Sequence, residues 1–93
     1  MRTIPIWLSS VKLTQIPRRV AAIVEQVEEC VPNDAIARRL RELGFVAGEQ
    51  VEVLAAGPVG AEPLLVQIGF TRFALRRSEA ERVRVRVGAE AAA

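Results

Sequence analysis

The sequence predicts a mainly β domain: a small, partly open barrel of about five short strands with one short α-helix between the first two strands. Five short segments are either rich in β-branched residues or alternate apolar with polar residues, which is typical of strands. Turn residues separate most of these segments at roughly eight- to twelve-residue intervals, as in small barrels. A flat sheet of this size would expose a strand edge, and closure into a barrel avoids that exposure.

The first strand is predicted from Val20 to Val27, a run rich in β-branched residues. Pro32 then disfavours a helix before it, and either Asn33 or Asp34 can cap the helix that follows by accepting a backbone N–H. Three apolar residues at i, i+4 and i+7 form one stripe of that helix, while charged residues occupy its other faces. The stripe consists of Ile36, Leu40 and Leu43. The glycine after it, Gly44, ends the helix in the left-handed conformation.

The rest of the chain predicts four more strands. They are expected at residues 50–54, 64–68, 72–76 and 83–87. A loop with two glycines and two prolines is expected at residues 57–63, and a tight connection at residues 69–71. Ser78 can cap a single helical turn before the last strand. This order of elements favours a barrel of the SH3-like kind.

Composition limits the chemistry that the chain can carry. Its 93 residues suffice for one domain with one small core, which must consist of Val, Leu, Ile and Ala because only 4% of the residues are aromatic. The chain has no His, and Cys30 is its one cysteine. These absences exclude an intramolecular disulfide, a His-activated nucleophile and a zinc site of Cys and His ligands. We therefore expect no enzyme activity, no metal site and no cofactor.

Three parts of the chain are distinguished: an N-terminal extension at residues 1–10, the barrel domain at 11–88 and a disordered tail at 89–93. The extension has a short apolar run around Trp7, interrupted by Pro5, which is too short for a signal peptide or a membrane helix. We expect a cytoplasmic protein without direct membrane insertion. The apolar run should add to a sheet edge, either of its own barrel or of a second copy in a homodimer.

The later part of the chain resembles a known family. Residues 39–54 resemble the signature of the ferrous iron transport protein A family, FeoA, in which a Leu-Gly pair precedes a G-x-x-V-x-V strand. Residues 58–64 and 73–85 are similar to the family's later motifs in order and spacing, and residues 13–17 are similar to its opening. The resemblance covers residues 11–88.

The resemblance implies an SH3-like barrel that acts as a non-enzymatic accessory protein of bacterial ferrous iron uptake. It implies a partner, the membrane permease FeoB, whose cytoplasmic GTP-binding domain would be the docking target. The same barrel occurs as the C-terminal domain of iron-dependent repressors. The alternative is therefore a regulatory or nucleic-acid-associated barrel. The family supplies no catalytic residues.

Arginine dominates the charge of the chain, supplying twelve of its 13 basic residues. Six arginines lie in residues 72–86 against two glutamates, although the whole chain carries only +2. If the last two strands are neighbours, Arg72, Arg76, Arg84 and Arg86 form a ladder on the outside of the barrel. The ladder is either a solvated face or a docking surface for an acidic partner. The low net charge and the scarcity of aromatic residues argue against nucleic acid.

The loop after the helix carries a second candidate contact. Phe45 and Val46 lie between two glycines and either plug the end of the barrel or form an exposed apolar tip, where Phe45 could anchor a partner. The proline-stiffened loop that begins at Pro58 is expected near the same rim. The candidate docking residues are therefore Phe45, Val46, Pro58, Arg72, Arg76, Arg84 and Arg86.

One acidic cluster contains residue types that can bind iron. Glu25, Glu28, Glu29 and Cys30 lie at the end of the first strand, but no imidazole accompanies them. We interpret the cluster as a solvated strand end, and Cys30 as a small, buried or half-buried apolar side chain.

Overall fold

The computed structural model describes residues 10–87 and contains one sheet of six antiparallel strands in the order β1-β6-β2-β3-β4-β5. The strands are β1 (Ser10–Lys12), β2 (Ala22–Val27), β3 (Gln50–Val59), β4 (Glu62–Ile68), β5 (Thr71–Leu75) and β6 (Val83–Arg86). The helices are α1 (Ala35–Leu43), between β2 and β3, and the single turn α2 (Arg77–Ala80), between β5 and β6. Because β1 and β5 end the order, the sheet is not closed, and the predicted mainly β, partly open architecture is confirmed.

The core is built from the aliphatic side chains that the composition demands, around one aromatic ring. Its largest fully buried side chains are Phe45, Leu13, Val24, Val51, Val66, Val83 and Val85. Alternation explains most of them, since every second residue of a strand points to the same face. Phe45 comes from the loop after α1 and packs its ring 6.1 Å from that of Phe73 on β5. It therefore plugs the barrel end and is not an exposed tip.

The helix forms where the sequence predicts it. Asp34 is the N-cap residue, and its Oδ1 accepts hydrogen bonds from the N–H groups of Ile36 and Ala37. Gly44 ends the helix in the left-handed conformation, at a φ of 118°, which glycine adopts without steric cost. Leu40 and Ala37 are buried, whereas Ile36 stays 37% exposed.

Three local predictions need correction. The sequence does not predict the strand β1, because three residues are too few to show a period. This strand places Ser10 in the sheet, paired with β6. The loop expected at residues 57–63 is instead the end of a hairpin, in which β3 runs to Val59 and β4 begins at Glu62. A Cβ atom at Gly57 would overlap the carbonyl oxygen of Glu62, so glycine permits this close pairing.

The third correction concerns α2, which Ser78 does not cap. The turn begins at Arg77, and its N-cap residue is Arg76, whose N–H donates to Oε1 of Glu79 at 2.9 Å. The predictions for the Trp7 segment, including a homodimer, and for the tail at residues 89–93 concern parts of the chain outside residues 10–87. Within the described range, no helix is long and apolar enough to cross a membrane.

Candidate docking surface

A largely buried ion pair joins the start of α1 to the residue before β6. Oδ2 of Asp34 accepts from Nε of Arg82 at 2.8 Å and from the N–H of Cys30 at 2.9 Å. The hydrogen bond from Arg82, then that from the Cys30 N–H, hold the pKa of Asp34 well below its usual range. Arg82 also donates from Nη1 to the carbonyl of Ser78 at 2.6 Å. The pair stabilises the fold, and it removes Arg82 from the set of arginines that a partner could use.

The acidic strand end neutralises three more arginines. Glu28 lies 3.4 Å from Nε of Arg84, and Oε2 of Glu29 lies 3.8 Å from Nη1 of Arg41. Oε2 of Glu25 lies 4.0 Å from Nε of Arg86, and its Oε1 accepts from the hydroxyl of Ser10. The glutamates of β2 and the loop after it therefore act as counter-charges for arginines. In the described part of the chain, no three Asp, Glu, Cys or His residues lie close enough together to hold a metal ion. Cys30 is exposed, contrary to the expectation that it is buried or half-buried.

The predicted ladder of four arginines is not formed, because its two strands are not neighbours. The strand β5 pairs with β4, whereas β6 lies between β1 and β2. Arg84 and Arg86 are thus half-buried residues paired with glutamates, while Arg72 and Arg76 are exposed on and beside β5. Strand order decides this outcome, and no local pattern in the sequence specifies it.

Several exposed arginines have no carboxylate within 4.0 Å among residues 10–87. They are Arg18, Arg19, Arg38, Arg39, Arg72 and Arg76, and the last three lie on or beside β5 and on the part of α1 that faces it. Arg72 donates from Nε to the neutral amide oxygen of Gln67 at 3.1 Å, which leaves its charge uncompensated. We refer to Arg39, Arg72 and Arg76 as the edge arginines.

A groove of about 290 Å³ lies between α1 and β5, and its charged rim consists of two arginines and one glutamate, Arg39, Arg76 and Glu79. Its apolar lining comes from three residues of the helix and three of the strand. They are Ile36, Leu40 and Leu43 on α1, and Phe73, Ala74 and Leu75 on β5. The partial exposure of Ile36, which the helical stripe alone does not explain, results from its position in this groove.

The other predicted contact residues lie outside this groove. Phe45 is fully buried and Val46 is 45% exposed, so only Val46 could touch a partner. Pro58 is exposed next to Val59, which is 79% exposed at the end of the β3–β4 hairpin. Phe70 is not among the predicted docking residues. It is fully exposed in the turn before β5. Its position directly after Gly69, in a predicted tight connection, is the sequence signal that could have indicated this exposure.

Comparison with known protein families shows which family the chain belongs to. The family model described as the FeoA domain matches residues 11–87, which is most of the chain. The chain belongs to the FeoA family. FeoA proteins are non-catalytic accessory components of ferrous iron transport, in agreement with the resemblance of residues 39–54. A search of curated proteins gives no match to this FeoA chain.

Solved FeoA structures share the fold. The crystal structure of Stenotrophomonas maltophilia FeoA complexed with zinc, a prokaryotic SH3 domain protein, is 64% identical, with a TM-score of 0.75 over 81% of this chain and 88% of that one. FeoA of Chlorobium tepidum is 32% identical, with a TM-score of 0.71 over 83% and 70% of the two chains. The SH3-like architecture is thereby confirmed.

Metalloregulators share the fold at lower identity. The IdeR protein of T. acidophilum is 16% identical, with a TM-score of 0.67 over 92% of this chain and 37% of that one. At that identity the likeness shows the fold alone.

Proposed function

We propose that this FeoA protein acts in the cytoplasm by docking on the cytoplasmic GTP-binding domain of the permease FeoB and biasing its nucleotide-dependent state. Membership of the FeoA family supports the role in ferrous iron transport. The observation that supports a docking role is the set of edge arginines, which keep their charge uncompensated within the described domain beside an apolar groove. Arg18, Arg19 and Arg38 are also exposed without a carboxylate partner, but they lie neither on β5 nor in the lining of the groove.

Charge and apolar surface together favour a protein partner. Guanidinium groups pair with carboxylates in bidentate geometry, which orients a partner and accelerates its encounter. A groove lined mostly by apolar side chains, such as Ile36, Leu40 and Phe73, supplies apolar contact area that charged groups do not provide. Nucleic acid would instead require stacked aromatic residues, and Phe70 is the one fully exposed aromatic among residues 10–87.

The test is binding of the full chain to full-length FeoB of the same organism, measured with GTP, with GDP and without nucleotide. We expect binding that depends on the nucleotide and that weakens roughly tenfold or more in the double variant Arg72→Glu/Arg76→Glu. Arg38→Glu is the matched control, since Arg38 is an exposed arginine of α1 outside the groove lining. No binding in any nucleotide state would contradict the proposal. DNA binding that persists at moderate salt would favour the regulatory alternative.

A further inference from the structure

The strand β5 has an open edge. It ends the strand order, and its ladder runs to β4 alone. Within residues 10–87, no backbone hydrogen bond joins β5 to an element on its other side. Open strand edges promote pairing with another chain, and proteins usually cover or shorten them. In the described part of the chain, the groove flanks this edge, and Arg72, Ala74 and Arg76 along it are exposed.

The turn before β5 determines which backbone groups point outward. Two residues, Gly69 and Phe70, join β4 to β5, with Gly69 at a φ of 58° as a tight hairpin turn requires. Thr71 pairs directly with the last residue of β4 and closes the turn. In an antiparallel ladder, hydrogen-bonded and non-hydrogen-bonded pairs alternate, so the N–H and C=O groups of Arg72 and Ala74 face the open edge.

Charge indicates what can pair with this edge. In an antiparallel pairing of β5 with β5 of a second copy centred on Ala74, Arg72 of each copy would face Arg76 of the other. Like charges directly opposite each other destabilise a strand pair. A strand with acidic side chains would instead meet the edge arginines, and an apolar side chain next to them could enter the groove beside Ile36.

We propose that β5 binds an extended acidic segment of the partner protein as a seventh strand of the sheet. Main-chain hydrogen bonds from Arg72 and Ala74 hold the segment, and its carboxylates pair with the edge arginines. One apolar side chain of the segment fills the groove between α1 and β5. This inference rests on the proposed function, because FeoB is the protein that would supply the segment. Strand addition gives affinity through the backbone and selectivity through the side chains.

The first test is hydrogen exchange, followed by mass spectrometry, of the full chain alone and bound to full-length FeoB in lipid nanodiscs. Strand addition should slow exchange in the β5 peptide by about tenfold or more, since open-edge N–H groups become hydrogen-bonded. The opposite edge, β1, should exchange equally in both states. Unchanged exchange in β5 at saturating FeoB would overturn strand addition while leaving docking intact.

The second test uses two variants and the binding assay. Ala74→Pro removes an outward N–H and leaves the ladder to β4 in place, as proline at a strand edge does. Arg39→Glu reverses a charge on the groove rim, and Arg38→Glu is its control on the same helix. We expect about tenfold weaker FeoB binding for Ala74→Pro and for Arg39→Glu, and a change within about twofold for Arg38→Glu.

These outcomes separate the two proposals. If wild type binds FeoB and a folded Ala74→Pro variant binds equally well, strand addition at β5 is wrong and docking stands. If wild type does not bind in any nucleotide state, both proposals are wrong. Should Ala74→Pro fail to fold, the exchange of the β5 peptide still decides the question.

Discussion

At the scale of single residues, Asp34 makes the most consequential contacts. Its carboxylate accepts from the N–H groups of Ile36 and Ala37 at the start of α1, from Cys30 before the helix, and from Arg82 before β6. The capping role could be predicted from the sequence, because Asp before a helical stripe is a local signal. The pairing with Arg82 could not, since 48 residues separate the two.

The Asp34 contacts make stability depend on acid pH. The folded-state pKa of Asp34 is lowered, so its contribution is fully present above the unfolded pKa near 4 and declines as pH falls from about 5 towards the folded value. Asp34→Asn retains a capping oxygen but loses the charge. We expect its melting temperature to lie below that of wild type at pH 7, with the gap narrowing as pH falls. Glu42→Gln, at an exposed helix position, should show no such gap. A gap that does not change between pH 7 and 3 would contradict this account.

The buried position of Phe45 makes a second prediction at this scale. Removing its ring leaves a cavity under the loop after α1 and removes the contact with Phe73, so Phe45→Ala should lower the free energy of unfolding by about 3–5 kcal/mol. Val46→Ala, at a 45% exposed neighbour, should change it by less than about 1 kcal/mol. Chemical denaturation measures both values. Equal effects would show that Phe45 is not the plug of the barrel end.

At the scale of elements, strand order separates residues that the sequence pattern groups together. Alternation correctly predicts that the valines of β6 are buried and that its arginines point outward. It cannot tell that β5 lies at one end of the sheet while β6 lies between β1 and β2. For the same reason, the groove could not be predicted, because it requires α1 to pack beside β5, more than 25 residues away in the chain.

This separation predicts opposite behaviour for two arginines that look alike in the sequence. Arg84→Glu places a carboxylate beside Glu28 and should lower the free energy of unfolding by about 1 kcal/mol, the scale of a partly exposed ion pair. Arg72→Glu breaks no ion pair within residues 10–87 and should change stability by less than about 0.5 kcal/mol. The effects on affinity for FeoB should be the opposite: Arg72→Glu should bind FeoB more weakly than wild type, and Arg84→Glu should bind it about as tightly as wild type. Equal loss of stability in both variants would contradict this division.

At the scale of the whole molecule, acids and bases nearly balance, yet they are unevenly distributed. The net charge is +2, but the acidic residues of β2 and its loop neutralise arginines on one part of the surface and leave the edge arginines uncompensated on another. A small open sheet of this kind has two edges, and like charge at the β5 edge opposes pairing with a second copy of that edge, which is why we propose an acidic strand there. Net charge alone therefore understates how strongly the molecule can attract a partner.

The uneven charge predicts how salt affects the complex. Attraction between exposed charges is screened over about 10 Å at 0.1 M salt and about 3 Å at 1 M. FeoB binding should therefore weaken by about tenfold between 50 and 500 mM NaCl, mainly through slower association. In Arg72→Glu/Arg76→Glu this salt dependence should flatten or reverse, whereas Arg38→Glu should retain the wild-type dependence. Biolayer interferometry at several salt concentrations measures both rate constants. A complex whose association rate does not respond to salt would mean that apolar contacts, and not the edge arginines, guide the encounter.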